Sequence, residues 1–369
     1  MKKYLFIIRW VVGLLFIFSG LIKANDPLGL SYKMQEFFEA WGLKGLHDYT
    51  LLASVGMNIL EVVAGVAVIV GWQMKRFSWL LLVLIVFFTF LTSYVLFSGK
   101  IHACGCFGDC VPLTPIQTFT KDIILLILIL ILFVNAHDVK PLFKLNTSIS
   151  IVLFSLVATV AVQLYVQKYL PIMDCLPFTK GKSIADGMKL PANAVADSFA
   201  ITFKYTKNGK VVEFDQNNFP ADFDDSYVYV DRYDKLIRKG TGLPKITDFV
   251  LTTIYGNDTT QALLNSNQPY VMIMAKDFST IGKWKNGNLA LVMDAAKKNN
   301  IPMFLVTSDI TTAQQQFSGM TILSCDATVI KTAARVNPTY LFMQGSTIQE
   351  KLSYASEEGL VKAINNYKK

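Results

Sequence analysis

Long apolar runs fill the first half of the chain, and alternating apolar and polar positions fill the second. The apolar runs cover residues 4–22, 51–70, 77–97, 122–136 and 149–166. A helix needs about 20 apolar residues to cross the hydrocarbon core of a bilayer, and the fourth run reaches that length only if it begins near Pro115. The pattern predicts five membrane-spanning helices.

A signal peptide is the competing interpretation of the first run. That run carries Arg9 inside it and ends at Lys23 and Ala24 without a small-x-small cleavage site. We therefore interpret it as a retained helix.

From about residue 172 onward the pattern is that of a water-soluble domain. Residues 199–207 and 211–215 alternate apolar and polar side chains on either side of an Asn-Gly pair, which predicts a β-hairpin. Two further strands are predicted at residues 227–230 and 235–238. These strands indicate a β-rich segment.

The last third of the chain alternates strands with helices. Residues 270–274 and 302–307 are apolar runs of strand length, with a helix predicted at 287–299 between them. A hairpin follows at 339–343 and 348–351, and then a closing helix at 357–367. This β-α-β then β-β-α order is that of a thioredoxin-like domain.

Composition agrees with two parts of different polarity. The chain has 369 residues, of which 52% are apolar and only 17% charged, and its mean hydropathy is +0.39. These values are too hydrophobic for one soluble domain. The net charge of +8 comes from scattered lysines rather than from a basic helix with interleaved aromatic residues, so we predict no nucleic-acid partner.

Basic residues set the expected orientation. Three helix ends on one side carry them in short loops, at Lys2, Lys3, Lys75, Arg76, Lys140 and Lys144. The positive-inside rule assigns these ends to the cytoplasm, although longer loops opposite carry Lys23, Lys33, Lys44 and Lys100. Because the number of spans is odd, we expect a multi-pass protein of the cytoplasmic (inner) membrane whose soluble half faces the periplasm or the outside.

Residues 104–110, Cys-Gly-Cys-Phe-Gly-Asp-Cys, hold three of the five cysteines and are called the cysteine loop below. On the oxidising side of the membrane, disulfides form and persist. A disulfide between Cys104 and Cys106 would close a very small ring and be easily reduced, and Cys110 would resolve it by exchange. We therefore predict Cys104, Cys106 and Cys110 as the catalytic residues.

Three other residues are given supporting roles. Cys175 lies just past the fifth span at the same membrane surface and is a candidate relay. Cys325 is a second possible relay, although a small buried side chain is the commoner role for such a cysteine. His102, beside Lys100, is the candidate for activating a loop thiol.

Two other interpretations of the loop stay open. Two of its cysteines would form a static disulfide that pins the loop. Alternatively, His102, Cys104, Cys106 and Cys110 would supply soft metal ligands, but their spacing is tighter than in the usual zinc patterns, and we predict no metal site.

Arg9 and Glu61 are charged residues predicted to lie inside membrane spans. A charge in lipid is costly and is usually paired or functional. A role in proton or quinone chemistry stands beside a structural one, in which Arg9 reaches the interface and Glu61 hydrogen-bonds a neighbouring helix.

Several short motifs of the membrane half occur together. They are Arg9 with residues 18–23, Glu61 with Gly65 and Gly71, residues 104–109, and residues 118–122. In these motifs the first 140 residues resemble the DoxX and MauE membrane proteins. The resemblance implies a four-helix bundle with a redox-associated accessory role, since MauE-type proteins are linked to maturation of disulfide-rich methylamine dehydrogenase and DoxD-type relatives to thiosulfate and quinone. The fifth span and the soluble half depart from that small bundle, so no substrate is carried over.

A second resemblance covers about residues 242–369. Residues 244–251 with Gly256 resemble the entry strand of TlpA-like and peroxiredoxin-like proteins, and residues 337–342 resemble the cis-proline strand of thioredoxins, which makes Pro338 the cis-proline candidate. The family's dithiol belongs at residues 276–284, where this chain has no cysteine. The resemblance therefore implies a thioredoxin-like fold without its two-cysteine mechanism.

These observations predict an α-helical membrane bundle followed by a soluble α/β domain. We expect a DoxX/MauE-like four-helix bundle at residues 1–140, a fifth transmembrane helix and linker at 141–172, a β-rich segment at 173–241 and a thioredoxin-like domain at 242–369.

The expected function is that of a membrane-anchored, outward-facing redox accessory protein. It would exchange disulfides through the cysteine loop in support of protein maturation or electron transfer, either as an enzyme or as a subunit of one. Its expected partners are membrane lipids and a protein outside the cytoplasm. The alternatives are a non-catalytic scaffold with a degenerate thioredoxin-like interaction domain and a quinone-linked oxidoreductase subunit. Family analogy is the only support for a quinone, and no other cofactor is predicted.

The orientation can be tested by proteolysis. Because the odd span count and the short basic loops both place the second half outside, a protease added to spheroplasts should remove the chain beyond about residue 172. The cleavage products are mapped by mass spectrometry. A soluble half that is degraded only after the membrane is broken would reverse the orientation.

Overall fold

A computed structural model gives the architecture of the chain. It describes residues 3–98, 101, 105–195, 198–207, 209–215, 218–220, 222–238, 240, 242–282 and 288–367. The helices of the membrane half are α1 (Lys3–Asn25), α2 (Pro27–Ala40), α3 (Thr50–Val70), α4 (Met74–Ser98), α5 (Pro115–Val134) and α6 (Leu145–Tyr169). All of these except α2 are long and apolar enough to cross a membrane, so the five predicted spans are confirmed.

Two glycines bring α1 and α3 into backbone contact. A Cβ atom added at Gly13 would lie 2.8 Å from the Gly65 carbonyl oxygen, and one added at Gly65 would lie 2.7 Å from the Gly13 carbonyl oxygen. Small residues allow this close approach, which gains van der Waals contact where lipid offers no hydrophobic drive for helices to associate. Helix α6 packs on the other side of α3, where the buried Asn58 amide donates to Gln163 Oε1 at 3.0 Å.

The surface of the five long helices is apolar. Large side chains such as Leu52, Phe97, Val134 and Phe154 are 72–78% exposed. Exposed apolar side chains on spanning helices contact lipid, so this surface supports a multi-pass membrane protein.

A small antiparallel sheet follows the membrane half. Its strands are β1 (Ser198–Lys207), β2 (Lys210–Asp215) and β3 (Tyr227–Arg238), in the order β2-β1-β3. The predicted hairpin is present, and the two strands predicted near residues 227–238 are one continuous strand. The rings of Tyr205 and Phe214 stack on one face, with centroids 5.3 Å apart.

The last part of the chain is a layered α/β domain. Its six-stranded sheet has the order β4-β7-β6-β5-β8-β9, in which β5, β6 and β7 are parallel and β8 is antiparallel to β5. The strands are β4 (Thr252–Thr253), β5 (Pro269–Ala275), β6 (Met303–Thr307), β7 (Thr321–Ser324), β8 (Thr339–Gln344) and β9 (Thr347–Ser353). The helices are α7 (Ile184–Gly187), α8 (Thr260–Leu264), α9 (Leu289–Lys298), α10 (Ile310–Gln316), α11 (Ala327–Ala333) and α12 (Glu357–Asn366). The predicted membrane bundle followed by a soluble α/β domain is thus confirmed.

Apolar residues cover both faces of this sheet because successive side chains of a strand point to opposite sides. In β5, Met272 and Met274 join one buried cluster and Val271 and Ile273 join the other. The segment just after α6 belongs to the first cluster, where Phe178 and Ile184 are at most 2% exposed.

That segment also pairs with the edge strand β9. The Gly181 amide donates to the Ile348 carbonyl at 2.7 Å, and the Ile348 amide donates to the Lys182 carbonyl at 3.0 Å. The soluble domain is therefore attached to the end of α6 before the three-stranded sheet begins.

Stability of the soluble domain should depend on the central strand β6. Leu305 is fully buried, so Leu305→Ala should cost about 2–5 kcal/mol and lower the thermal midpoint of the detergent-solubilised chain by several degrees. The control is Leu291→Ala on α9, where the leucine is 55% exposed and the expected change is within about 0.5 kcal/mol. Equal shifts for the two variants would contradict the assigned core.

Candidate functional site

The cysteine loop forms a tight turn between α4 and α5. Gly105 and Gly108 have positive φ angles of +74° and +57°, and the Gly108 amide donates to the Gly105 carbonyl at 2.9 Å. Glycine adopts this left-handed conformation without the steric cost that other residues bear. The two glycines of the motif therefore turn the chain around Cys106.

Part of the predicted site lies outside the described residues. His102 and Cys104 belong to that part, as does Lys100, so a Cys104–Cys106 exchange pair and its activation by His102 stay predictions. Within the residues that the structure describes, no group of three or more His, Cys, Asp or Glu side chains is arranged to hold a metal ion.

Cys106 is inserted into the end of the bundle. The residue is 8% exposed, and its backbone carbonyl accepts a hydrogen bond from Ser19 Oγ of α1 at 3.0 Å. Phe107 is also buried and packs edge-on against Phe18, with ring centroids 5.6 Å apart. The middle of the cysteine loop is therefore fixed by helix α1.

A buried ion pair lies next to Cys106. Lys23 Nζ of α1 donates to Glu61 Oε1 of α3, and the two side chains are 2% and 0% exposed. The Ser19 hydroxyl bridges the pair to the loop, because it lies 2.9 Å from Glu61 Oε2 as well as 3.0 Å from the Cys106 carbonyl. The predicted intramembrane Glu61 is thus paired, and its partner is a lysine that the topology argument counted as a loop residue.

A second ion pair lies on α5. Lys121 Nζ is 2.5 Å from Asp122 Oδ1, and Thr92 Oγ1 of α4 donates to the other Asp122 oxygen at 3.1 Å. Both ion pairs and Cys106 line one cavity of about 20 Å³, which has room for about one water molecule. Charged groups in a membrane are costly and mark functional positions.

Arg9 lies at the other end of α1, away from the cysteine loop. It is fully buried, and its guanidinium donates to the Lys140 carbonyl at 3.1 Å and to the Ile69 carbonyl near the end of α3. Fourteen helical residues separate Arg9 from Lys23, a rise of about 21 Å. Arg9 and Glu61 therefore belong to different clusters, and Arg9 holds the α3 end to the loop before α6.

Cys110 of the loop and Cys175 form a disulfide across 65 residues, with Cα atoms 4.9 Å apart. Both residues are partly buried. The chain beside Cys175 is also held by α1, since Asn25 donates to the Met173 carbonyl at 2.8 Å and accepts from the Met173 amide at 3.0 Å. The disulfide therefore links the cysteine loop to the start of the soluble half.

Arg335 of the soluble domain binds both α2 and the cysteine loop. Its Nε donates to Asp26 Oδ2 at 2.8 Å, its Nη2 to Asp109 Oδ2 at 3.0 Å, and its Nη1 to the Lys331 carbonyl at 2.8 Å. The side chain is only 6% exposed, and all three of its nitrogen atoms have acceptors. A buried guanidinium is tolerated when its charge and donors are met in this way.

The edge where a thioredoxin carries its dithiol lies beside Arg335. The Lys276 amide at the end of β5 accepts no cysteine neighbour in sequence but donates to Asn337 Oδ1 at 3.0 Å, and the Asn337–Pro338 peptide bond is cis. Lys276 Nζ donates to Tyr32 Oη of α2 at 3.2 Å. This edge of the soluble domain therefore packs against α2, next to the cysteine loop.

Cys325 has different surroundings. It is 5% exposed and packs in the soluble-domain core among residues such as Phe249 and Leu251. Burial raises the pKa of its thiol to about 12, so the thiol is protonated at neutral pH and is a poor nucleophile.

Several residues of this site were not predicted from the sequence. Asp26, Asp109 and Arg335 are far apart in the chain, and nothing local indicates that they meet. Lys23 and Asp122 carry a weak signal, because both lie within the motifs that resemble a membrane family.

Comparisons with known proteins agree with the two-part architecture. Residues 1–135 match the family model of the methylamine utilisation protein MauE, which confirms the MauE part of the resemblance. Residues 199–239 match a domain of unknown function, DUF8463, at the three-stranded sheet.

A curated relative, Protein TlpB of Flavobacterium psychrophilum, is 31% identical over 132 residues, or 34% of this chain. The match covers 35% of that protein, so it spans about a third of the relative's length. No solved structure matches the chain.

The packing of Lys276 should make stability depend on pH. Burial lowers the pKa of Lys276 to about 8, although Asp277 opposes the shift. Between this value and the ordinary 10.5 the unfolded chain binds more protons, so the stability due to Lys276 rises with pH. From pH 7.5 to 9.5 the gain should be about 2 kcal/mol relative to Lys276→Met.

The measurement is the thermal midpoint of the full chain in detergent at the two pH values. Lys297→Met, which removes an exposed lysine of α9, should keep the wild-type pH dependence. If Lys276→Met changes with pH as the wild type does, Lys276 is not buried at this edge.

Proposed function

We propose that this protein is a membrane-anchored, outward-facing accessory protein that carries out thiol–disulfide exchange at the cysteine loop, in support of protein maturation or electron transfer. The observation that carries the proposal is the Cys110–Cys175 disulfide, which joins the loop to the start of the soluble half. In this proposal the bundle of residues 1–140 presents the loop, residues 141–172 and 173–241 connect it, and residues 242–369 form the thioredoxin-like domain.

The surroundings of the disulfide support exchange. Both cysteines are partly exposed, so an external thiol has access to the bond. Cys106 lies four residues before Cys110 in the same tight turn, within reach of a rearrangement of the loop. In the proposal Cys110 and Cys175 exchange with a substrate, and Cys106 with Cys104 is the second pair.

The thioredoxin-like domain has a positioning role in this proposal. It lacks a cysteine at residues 276–284, and its contribution is Arg335, which binds Asp109 directly beside Cys110. The proposed domain therefore holds the loop in place and does not itself exchange disulfides. Cys325 takes no part, because its thiol is buried and protonated.

The comparisons support a redox-related accessory role at a coarser level. The matched family is described as a methylamine utilisation protein, and the relative bears the name TlpB. Each match covers little more than a third of this chain, so the reaction and the substrate rest on the site alone.

A quinone has weaker support than protein thiols. The ion pairs Lys23–Glu61 and Lys121–Asp122 lie beside Cys106, as expected for groups that move protons. The cavity between them has about 20 Å³, which suits one water molecule and is too small for a quinone ring. We therefore propose protein thiols, and not a quinone, as the direct reaction partners.

Trapping tests exchange against a purely scaffolding role. Cys110→Ser leaves Cys175 without its disulfide partner, so membranes of the native host should contain mixed disulfides between Cys175 and other proteins that dithiothreitol releases. They are measured by non-reducing electrophoresis and mass spectrometry.

The matched control is Cys325→Ser, which removes a buried thiol and should trap nothing. A Cys110→Ser variant that folds, inserts and forms no adduct would favour the scaffold, in which the disulfide only joins two parts of the chain.

A further inference from the structure

A large cleft opens beside the disulfide. It has a volume of about 1360 Å³ and lies between α2, residues 174–191 and α11. This exceeds the roughly 300–1,000 Å³ of a typical small-molecule pocket, so the cleft is large enough for a segment of polypeptide chain. Cys175 lines the cleft, whereas Cys110 lines a smaller cavity behind it.

The position of the two sulfurs sets the direction of attack. A thiolate that reaches the disulfide through the cleft meets Cys175 first, and Cys110 is then the leaving group. Asp109, next to Cys110, is held by Arg335, so the leaving side of the bond is fixed to the soluble domain.

The acidic residues of the cleft wall are mostly neutralised by nearby cations. Asp109 pairs with Arg335, Asp174 with Lys351, Asp186 with Lys189 and Glu36 with Lys33, at distances of 2.7–3.0 Å. Glu39 lies 3.8 Å from His47. Little negative charge is left to repel an acidic ligand.

Three lysines of the cleft wall are different. Lys182, Lys245 and Lys331 are exposed, and within the part of the chain that the structure describes none of them forms an ion pair with a carboxylate. Lys331 instead lies 5.4 Å from the centre of the Tyr32 ring. The cleft therefore has an excess of positive charge around Cys175, which attracts negatively charged ligands.

From this arrangement we infer that the cleft binds an extended, acidic segment of a substrate polypeptide and presents its cysteine to Cys175. The inference rests on the proposed function and adds the substrate class and the attacked sulfur. One substrate thiolate attacks Cys175 Sγ, the Cys175–Cys110 bond breaks, and Cys110 leaves as a thiolate.

The second step completes the transfer. A second substrate thiolate attacks the substrate sulfur of the mixed disulfide and releases Cys175 as a thiolate. Two electrons have then passed from the substrate dithiol to the Cys110–Cys175 pair, and the two released thiolates take protons from solvent. The oxidant is the disulfide itself, so one turnover needs no other reactant.

The test is a single-turnover reaction between the oxidised full-length chain in a nonionic detergent and two synthetic dithiol peptides. The peptides have the same two cysteines and differ only in glutamates or lysines around them. The acidic peptide should be oxidised about 10-fold faster at low salt, and the ratio should fall towards 1 at about 1 M salt, because salt screens the attraction. Mass spectrometry of the quenched reaction should find the mixed disulfide on Cys175.

Charge reversal gives the matched comparison. Replacing the three cleft lysines together, as Lys182→Glu, Lys245→Glu and Lys331→Glu, should abolish or reverse the preference for the acidic peptide. Lys210→Glu, Lys297→Glu and Lys298→Glu together change the net charge equally on other surfaces and should keep it. Both triple variants should react with neutral dithiothreitol at the wild-type rate, which shows that the disulfide is intact and accessible.

The outcomes separate the two proposals. If dithiothreitol and both peptides leave the disulfide intact in the folded protein, the proposed function fails. If dithiothreitol reduces it but the peptides react equally, or the cleft lysines do not matter, only the acidic-substrate inference fails. A mixed disulfide on Cys110 instead of Cys175 would overturn the direction of attack.

Discussion

The buried guanidinium of Arg335 is the interaction on which the arrangement of the two halves depends. One side chain of the soluble domain binds Asp26 at the start of α2 and Asp109 in the cysteine loop. Asp26 also accepts from the Gly29 amide at 3.0 Å and so caps α2. A Cβ atom at position 29 would lie 2.6 Å from Asp26 Oδ2, which explains the glycine there. Removing one partner of such a buried pair typically costs about 3–5 kcal/mol, since the other charge is left unpaired.

The Cys110–Cys175 disulfide acts at the same place as this ion pair. Asp109 and Cys110 are neighbours, so one end of the cysteine loop is joined to the soluble half both electrostatically and covalently. Breaking the disulfide would leave the ion pairs of Arg335 in place. In the proposed exchange reaction, the loop therefore keeps its position while the sulfur atoms change partners.

The membrane bundle adds a second constraint on the loop. Lys23–Glu61 and Lys121–Asp122 place four charged groups around a cavity that Cys106 also lines. Ion pairs buried in a membrane seldom repay their desolvation, so stability alone does not explain them. Their position beside a cysteine, rather than elsewhere along the helices, connects them with the chemistry of the loop. Arg9, at the opposite end of α1, binds backbone carbonyls and has a structural role.

The sequence by itself determined the elements of this protein. Five spans, the hairpin after residue 198 and the strands β5, β6, β8 and β9 follow from apolar runs and alternation, because these patterns report burial within one local element. The short strands β4 and β7 were missed, since two to four residues are too few to show a period. Only the tertiary structure decided which of these elements meet. The partner of Glu61, the pairing of Cys110 with Cys175 and the binding of Asp109 by Arg335 join residues 38, 65 and 226 positions apart. Contacts at such separations depend on how the whole chain packs, and no local pattern encodes them.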